Sequence, residues 1–260
     1  MKKSEVFKEI VEHRRSNRYF SEDIEVPDES VLSALTLAHL SPNSSNMQLW
    51  GFYWIKSEDL LEQMTPLCMG QSAARTAKHL VVFVTRQGLW KERAEWNYEN
   101  IKRSIVGEPT KLNKRGLSYY KKLMPIIYRH DAFGFNTLFR KGIVFYKGFK
   151  KSFMRFESHA DQRVMLHKSC ALAAQTFMLA MASEGFDTCP MEGFDSKRVK
   201  KQLNLPKDAE ITMIVAVGKG TEKGIHSERM RVPTEQVIFI RYFKSNLFPQ
   251  VKFHLHLSFK

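Results

Sequence analysis

The 260-residue sequence predicts a globular fold that mixes helices and strands, of the α+β or α/β class. Hydrophobic residues make up 43% of the chain, which is enough for a sizeable core and excludes a disordered or fibrous protein. Predicted helices outnumber predicted strands, and helices separate the strands from one another. The length suits one elaborated domain or two small ones.

Helical and extended patterns follow one another along the chain. Val6, Ile10 and Val11 recur at helical spacing after Ser4, a candidate N-cap, and predict a helix over 4–14. The further predicted helices cover 27–40, 58–65, 160–183 and 195–203. The predicted strands cover 51–55, 80–85, a short run ending at 190, 211–217 and 237–242. Gly185 is expected to end the long helix as its C-cap.

The net charge of +14 is concentrated in two segments. Residues 101–160 contain 14 basic and three acidic residues, and the last twenty residues contain four basic residues and no acid. The remainder of the chain is therefore close to neutral. A basic excess predicts an anionic partner, such as nucleic acid, a membrane surface, a phosphorylated cofactor or an acidic protein.

Several classes are not expected. Cys68, Cys170 and Cys189 are widely spaced and form no CxxC pair, so we expect buried core thiols in a reducing cytoplasm. No residue cluster predicts a metal site. The start of the chain does not resemble a signal peptide, and the apolar run 170–182 is too short to span a bilayer. The expected location is cytoplasmic.

A basic cluster at the end of the first helix is the first candidate for function. Arg14, Arg15 and Arg18 surround Ser16 and Asn17. Guanidinium and hydroxyl groups at this spacing can bind a phosphate through charge-assisted hydrogen bonds, each worth about 1.5–3 kcal/mol. The residues alone also allow a solvated basic helix end.

Three further segments are candidates. The loop 42–46 has short polar side chains that suit the edge of a heteroaromatic ring, although an ordinary polar turn has the same composition. In the segment 190–195, a strand meets Pro190 and Gly193, and Asp195 can cap the next helix. The backbone N–H groups of Glu192 and Gly193 can therefore point into a cleft. Arg229 and Arg231 alternate in an extended segment and can reach one anion.

Taken together and in this order, these segments resemble the nitroreductase family of FMN-dependent flavoproteins. The family's Arg-x-Ser-x-Arg/Lys opening with a nearby Phe is similar to residues 14–20, and its Ser-Pro-Ser-Ser-x-Asn-x-Gln-Pro-Trp loop is similar to 41–50. Its Pro-x-Glu-Gly-Phe strand exit is matched by 190–194, and its late basic pair before a proline by Arg229 and Arg231. The resemblance covers approximately 5–86 and 159–240.

The resemblance implies an α+β homodimer of the nitroreductase-like fold, with a central, mostly antiparallel sheet flanked by helices. It implies FMN in a cleft between the subunits and NADH or NADPH as electron donor. The implied reaction passes hydride through flavin N5 to a nitroaromatic, quinone or similar conjugated small molecule, in a ping-pong sequence. Reductive dehalogenation or enoate-type reduction on the same FMN fold is the alternative chemistry.

The family's functional positions imply four sets of residues here. The phosphate and ribityl chain would be held by Arg14, Arg15, Ser16, Arg229 and Arg231. The pyrimidine edge would face Arg18, and the other subunit would donate Pro42, Asn43, Ser44 and Asn46. The ring would lie beside Pro190, Met191, Glu192 and Gly193, with the Glu192 or Gly193 amide at N5. Gln71 would also approach the ring.

The expected organisation is a single domain over 1–260, with 98–158 as a long basic inserted lid and 241–260 as a basic C-terminal extension. The insertion interleaves aromatic with basic residues, and we expect its aromatics to pack on the body while its cationic heads face water. A weak contact of 111–156 with an anionic membrane surface stays open, whereas nucleic acid is not expected. A basic peripheral membrane or nucleic-acid-binding protein is the rival from another class.

Overall fold

The structure is a computed structural model that describes residues 2–129, 135–150, 152 and 158–241. The chain divides into a large unit, residues 1–226, and a small unit, residues 227–260. The α-helices are α1 (Lys3–His13), α2 (Asp28–His39), α3 (Glu58–Leu67), α4 (Ser72–Arg75), α5 (Trp90–Arg103), α6 (Lys111–Ser118), α7 (Met124–Tyr128), α8 (Phe135–Lys150), α9 (His159–Ser183) and α10 (Ser196–Gln202). The strands are β1 (Trp50–Ile55), β2 (His79–Arg86), β3 (Asp187–Met191) and β4 (Ala209–Gly218).

The four strands form one sheet in the order β1-β2-β4-β3, and every pair is antiparallel. β2 and β4 are the central strands, which explains why β2 is a nearly continuous run of apolar residues rather than an alternating one. β1 and β3 are the two edges. The predicted antiparallel α+β fold is confirmed.

Helices cover both faces of this sheet. Because side chains alternate across a strand, Leu80 and Val82 point to the face covered by α3 and α10, while Val81 and Phe83 point to the face covered by α2 and α9. On the second face the ring centroids of Phe83 and Phe177 lie 5.6 Å apart, and both side chains are fully buried. Burial of side chains of this size contributes about 1.5–3 kcal/mol each.

The long helix α9 has a defined start and end. Ser158 Oγ accepts from the Asp161 N–H (3.2 Å), and the Asp161 carboxylate accepts from the Ser158 N–H (2.8 Å), which forms a capping box. At the other end Gly185 has a φ of +78°, and the N–H of Phe186 donates to the Met181 carbonyl (3.0 Å). The predicted stop at Gly185 is confirmed, in a Schellman motif.

Among the described helices, α9 is the one that is long and apolar enough to cross a membrane. α9 begins at His159 and has 25 residues, so it is longer than the apolar run 170–182 identified in the sequence. Its buried residues pack against the sheet and α2, which is the arrangement of a core helix.

The segment predicted as an inserted lid, 98–158, starts within α5 and continues with the short helices α6 and α7. A π-helical turn, Tyr119–Leu123, joins α6 to α7. Met124 and Tyr128 are buried in a third apolar cluster with Met47 and Leu166. The aromatics from Tyr119 to Tyr128 therefore pack on the body, as expected. Residues 130–134, 151 and 153–157 lie outside the described part.

The predicted start of the first helix and the predicted last strand are both wrong. The first helix begins at Lys3 rather than after Ser4, because the Glu5 carboxylate accepts from the Lys2 N–H (2.8 Å) and completes the first turn. The strand predicted over 237–242 is absent from its described part, 237–241. There the N–H of Ile238 donates back to the Thr234 carbonyl (2.8 Å), which continues the turn Thr234–Gln236. A short apolar run alone does not form a strand without a neighbouring strand.

Candidate active site

The basic cluster runs along the β3 edge of the sheet. α1 ends at His13, and the chain then extends so that Ser16 forms a parallel bridge with Thr188. The N–H of Asn17 donates to the Thr188 carbonyl (3.2 Å). Arg14, Arg15 and Ser16 are half-buried, and Arg18 is exposed. The bridge to β3 therefore fixes the place of the predicted phosphate-binding segment.

Asn17 anchors this segment to the loop after β4. Its side chain is buried, its Nδ2 donates to the Thr221 carbonyl (2.9 Å), and its Oδ1 accepts from the Tyr19 N–H (3.1 Å). A Cβ at Gly224 would lie 1.7 Å from Asn17 Oδ1, and one at Gly220 would lie 2.2 Å from Nδ2. The absence of a side chain at both positions therefore makes room for Asn17.

Sequence reasoning included Asn17 in the basic cluster but gave it no role. The available signal was the pair of glycines shortly after the last core strand, at 220 and 224. Glycines at such places often mark a close approach of another chain segment. The sequence pattern could not show which segment approaches these glycines, because Asn17 and Thr221 are 204 residues apart.

Arg14 and Arg18 both act electrostatically on β3. Burial raises the pKa of the Cys189 thiol, and the positive charges of Arg18 and Arg14 act in the opposite direction. The two positive charges therefore favour negative charge at this part of the strand.

The strand exit follows at the end of β3. Met191 is buried and pairs with Ile214, and the chain then leaves the sheet at Glu192 and Gly193, which are exposed. The N–H of Phe194 donates to the Glu192 carbonyl (3.2 Å) in a tight turn. Within the described chain, neither the Glu192 nor the Gly193 N–H donates to a protein acceptor. Both remain available to a ligand.

Two further contacts hold the strand exit. Gln71 Nε2 donates to the Gly193 carbonyl (2.7 Å) and to the Cys68 carbonyl (3.0 Å). Asp195 caps α10 by accepting from the N–H groups of Lys197 and Arg198, both at 3.1 Å. The structure thus places Gln71 against the strand exit, and the predicted capping role of Asp195 is confirmed.

The loop 42–46 is held on the sheet face that α9 covers. Asn43 and Ser44 are half-buried, and Pro42 and Asn46 are exposed. The N–H of Ser44 donates to Ser169 Oγ (3.3 Å), and Asn43 Oδ1 accepts from the Gln48 N–H (2.8 Å). Three non-glycine residues adopt positive φ: Ser45 (57°), Asn46 (50°) and Gln48 (49°). These contacts fix an otherwise strained backbone.

The same loop contacts the π-helical turn Tyr119–Leu123 and α5. Ser45 Oγ lies 2.6 Å from the Tyr119 hydroxyl, and the Tyr120 hydroxyl donates to the Ser45 carbonyl (2.9 Å). Asn46 and Asn97 form reciprocal hydrogen bonds of 3.0 and 2.9 Å. Sequence reasoning did not predict these partners. They hold the π-helical turn Tyr119–Leu123 and α5 against the loop.

A single chain does not bring the two halves of the predicted site together. The basic cluster, Gln71 and the strand exit meet at the β3 edge. The loop 42–46 leads into β1, which is the opposite edge of the sheet. Three strand spacings separate β1 from β3, or about 14 Å.

The remaining predicted residues, Arg229 and Arg231, lie in the small unit. Both are exposed, and Arg231 Nη1 donates to the Met230 carbonyl (2.7 Å). Their contribution to a phosphate site stays a prediction.

The cysteines are buried, as expected. Burial raises the pKa of the Cys68 and Cys170 thiols to about 11, which disfavours the nucleophilic thiolate. Among the described residues, no three His, Cys, Asp or Glu side chains are grouped so that they could hold a metal ion.

The donors at the β3 edge fit FMN. Cationic and hydroxyl groups from Arg14 to Arg18 suit a phosphate and the electron-rich edge of a flavin. Two available backbone N–H groups suit a ring nitrogen, and they do not titrate. The site thus offers charge at one end and neutral donors at the other, as a phosphorylated heteroaromatic group requires.

The sequence model of the nitroreductase family matches residues 11–219, and the chain belongs to this family. The protein MhqN of Bacillus subtilis (strain 168), which carries a provisional NAD(P)H nitroreductase name, is 24% identical over 236 residues. This match spans 91% of the present chain and 98% of MhqN.

Solved structures share the fold. A protein from Exiguobacterium sibiricum 255-15, solved in complex with FMN, has a TM-score of 0.62 and 19% identity, covering 90% of this chain and 97% of its own. CLA-ER, an enone reductase of gut-bacterial fatty acid saturation, has a TM-score of 0.63 and 15% identity, covering 90% and 98%. At these identities the likeness concerns the fold.

Proposed function

We propose that this chain is an FMN-dependent oxidoreductase that takes electrons from NADH or NADPH and reduces a conjugated small molecule. One observation carries the proposal: at the β3 edge, a segment with three arginines lies beside a strand exit with two available backbone N–H groups. Membership of the nitroreductase family supports the same proposed function.

Each group has a role in holding the cofactor. Arg14, Arg15 and Ser16 bind the phosphate and ribityl chain, and Arg18 faces the pyrimidine edge, where its charge stabilises the reduced state. The Glu192 or Gly193 amide donates to the ring nitrogen N5 and fixes the orientation of the ring. FMN, when bound, accepts hydride and passes two electrons on. The hydride step itself requires no side-chain acid or base.

Donor and acceptor use the same cleft in turn, which makes the reaction ping-pong. We propose nitroaromatics and quinones as the electron acceptors. We also propose that the enzyme works in the cytoplasm. Reductive dehalogenation or enoate reduction is the second candidate chemistry, supported by the fold shared with the enone reductase. A panel of the four acceptor classes, each mixed with reduced enzyme in a stopped-flow instrument, separates these candidates by the rate of flavin reoxidation.

We further propose a homodimer in which the loop 42–46 of one subunit completes the site at the β3 edge of the other. This arrangement is supported by the positions of the two parts of the predicted site, because within one chain the loop 42–46 and the β3-edge residues lie at opposite edges of the sheet. Exposed apolar residues on α1 and α9, among them Phe7 (59%), Val164 (51%) and Leu172 (48%), supply a surface suited to association.

The binding role is tested by titrating the protein with FMN and following the quenching of flavin fluorescence. Arg14→Ala removes a charge-assisted phosphate contact and should weaken FMN binding about tenfold or more. Arg103→Ala is the matched control, since Arg103 is an exposed arginine at the end of α5. Equal FMN affinity in the wild type and the Arg14 variant would contradict the proposed phosphate site.

A further inference from the structure

α8 is attached to the body by a narrow buried stripe. Val144 is 2% exposed and Arg140 is 4% exposed. Arg140 Nη1 donates to the carbonyls of Ile127 (3.1 Å) and Arg129 (3.2 Å), at the C-terminal end of α7. A cation is favourable at such an end because the last carbonyls of a helix carry partial negative charge. The rotation of α8 about its axis is therefore fixed.

This rotation turns the apolar side of α8 toward solvent. The outward face of α8 consists of Phe135, Leu138, Phe139, Phe145, Tyr146 and Phe149, each 62–77% exposed. At 100° per residue these six side chains fall within an arc of about 120°. A helix of a globular protein normally buries an apolar stripe of this width.

Lysines flank the outward face. Lys141 and Lys147 are exposed and lie on either side of the apolar arc, about 40° and 80° beyond its edges. α8 contains no acidic residue. An apolar face bordered by lysines is typical of helices that lie in the plane of a membrane interface.

We propose that α8 docks the protein on an anionic lipid surface. The six side chains enter the boundary between headgroups and acyl chains, and Lys141 and Lys147 contact the anionic headgroups. The contact predicted for 111–156 is thereby narrowed to one helix, because the aromatics of the preceding segment, Tyr119 to Tyr128, pack on the body. The proposal is independent of the flavin chemistry.

The charges of α8 and the arrangement of its side chains argue against two other partners for its outward face. Packing of α8 on α8 from a second copy would bring together helices that carry only positive charges. Nucleic acid binding favours cations interleaved with stacking rings along a groove, whereas here the rings are contiguous and the lysines lie outside them. An anionic bilayer can accommodate both the contiguous apolar face of α8 and the lysines that flank it.

Co-sedimentation of the full-length protein with vesicles tests the proposal. We expect binding to phosphatidylcholine vesicles with about one-third phosphatidylglycerol, and at least tenfold weaker binding to pure phosphatidylcholine. Binding to the anionic vesicles should weaken as salt rises. Equal binding to both vesicles, no binding to either, or preferential binding of single-stranded DNA would overturn the proposal.

Two variants and one control assign the contact to α8. F145S/F149S should reduce vesicle binding about tenfold or more through lost apolar burial. K141Q/K147Q should reduce it by about fivefold per lysine on anionic vesicles. V106S/L112S changes two apolar residues that are 96% and 78% exposed outside α8, and should leave binding unchanged.

The variants also separate docking from self-association. All three variants replace exposed side chains, so flavin content and unfolding should match the wild type. If F145S/F149S binds vesicles as the wild type does, or if it converts a dimer to a monomer in light scattering, α8 is not a lipid contact and the proposal fails.

Discussion

The side-chain amide of Gln71 donates a hydrogen bond of 2.7 Å to the carbonyl oxygen of Gly193. Gln71 lies just before α4, and Gly193 lies at the exit of β3, so the bond joins segments that are 122 residues apart. It fixes the peptide that follows the two N–H groups available to a ligand. We therefore expect Gln71 to position a bound flavin ring through the backbone of Gly193.

Substitution of Gln71 should loosen this peptide without unfolding the protein. We expect Gln71→Ala to lower kcat/KM for the NAD(P)H half-reaction about five- to tenfold, because one neutral hydrogen bond is worth about 1 kcal/mol. Steady-state kinetics measures this loss. Gln63→Ala, on the exposed surface of α3, is the control. Unchanged kinetics in the Gln71 variant would remove its positioning role.

The close approach of Gly224 to Asn17 predicts a strong effect on stability. In Gly224→Ala the new Cβ would lie 1.7 Å from Asn17 Oδ1 and 2.6 Å from the Tyr19 nitrogen. Displacement of Asn17 breaks buried hydrogen bonds, so the free energy of unfolding should fall by about 2 kcal/mol or more. Urea denaturation measures the change.

Gly142→Ala is the control for that experiment. Nothing lies within 4 Å of a Cβ at Gly142, which is in the interior of α8. This substitution should be neutral or stabilising by about 0.5–1 kcal/mol, since alanine favours helix. Equal destabilisation by both substitutions would show that Gly224 is not a special position.

Glu210 should make unfolding depend on pH in acid. Hydrogen bonds from Arg163, and also from His167, lower the pKa of the Glu210 carboxyl below its usual range. A carboxylate with a lowered pKa stabilises the fold at neutral pH, and this stabilisation is lost as pH falls below about 4.3 and through the folded-state pKa. Because the side chain is 36% exposed, solvent screening limits the effect to about 1 kcal/mol or less.

Urea unfolding at pH 6 and in mild acid measures this contribution. The wild type should lose more stability on acidification than Glu210→Gln, and the two should converge at the lowest pH. Glu9→Gln, an exposed substitution on α1, should follow the wild-type curve. A Glu210→Gln curve parallel to the wild type at every pH would contradict the assigned cause.

Subunit mixing tests whether each site draws on two chains. Arg14→Glu damages the β3 edge, and Pro42→Trp places a bulky ring on the exposed loop. Each homodimer should have low activity, but a mixed dimer regains one intact site. Random mixing should restore about a quarter of wild-type activity. Mixing Arg14→Glu with Arg18→Glu, which damage the same segment, should restore none. Absence of rescue in the first mixture would contradict the shared site.

Local sequence patterns predicted the core elements. The apolar run of β2, the capping residue Asp195 and the helix stop at Gly185 all depend on residues close together in the chain, and each is confirmed. The segment 237–242 was predicted as a strand, and its residues 237–240 form a short apolar run. The described part of this segment, 237–241, is not a strand, because strand formation needs a partner as well as a pattern.

Contacts between distant segments could not be predicted. Nothing in the sequence pairs Asn17 with Thr221, or Ser45 with Tyr119, since any polar loop offers similar donors. The aromatics of the insertion were expected to pack on the body throughout. Those of α8 are exposed, because Arg140 and Val144 rather than the phenylalanines fix its rotation.

The central claim is that this chain binds FMN and passes electrons from NAD(P)H through it. The most direct test is the visible absorption spectrum of the purified protein, recorded with FMN and then after anaerobic addition of NADH or NADPH. We expect a yellow protein that retains flavin through gel filtration, is bleached by one of the nicotinamides, and recovers its colour on addition of a quinone or nitroaromatic. A protein that stays colourless with FMN, or a bound flavin that neither nicotinamide bleaches, would contradict the claim.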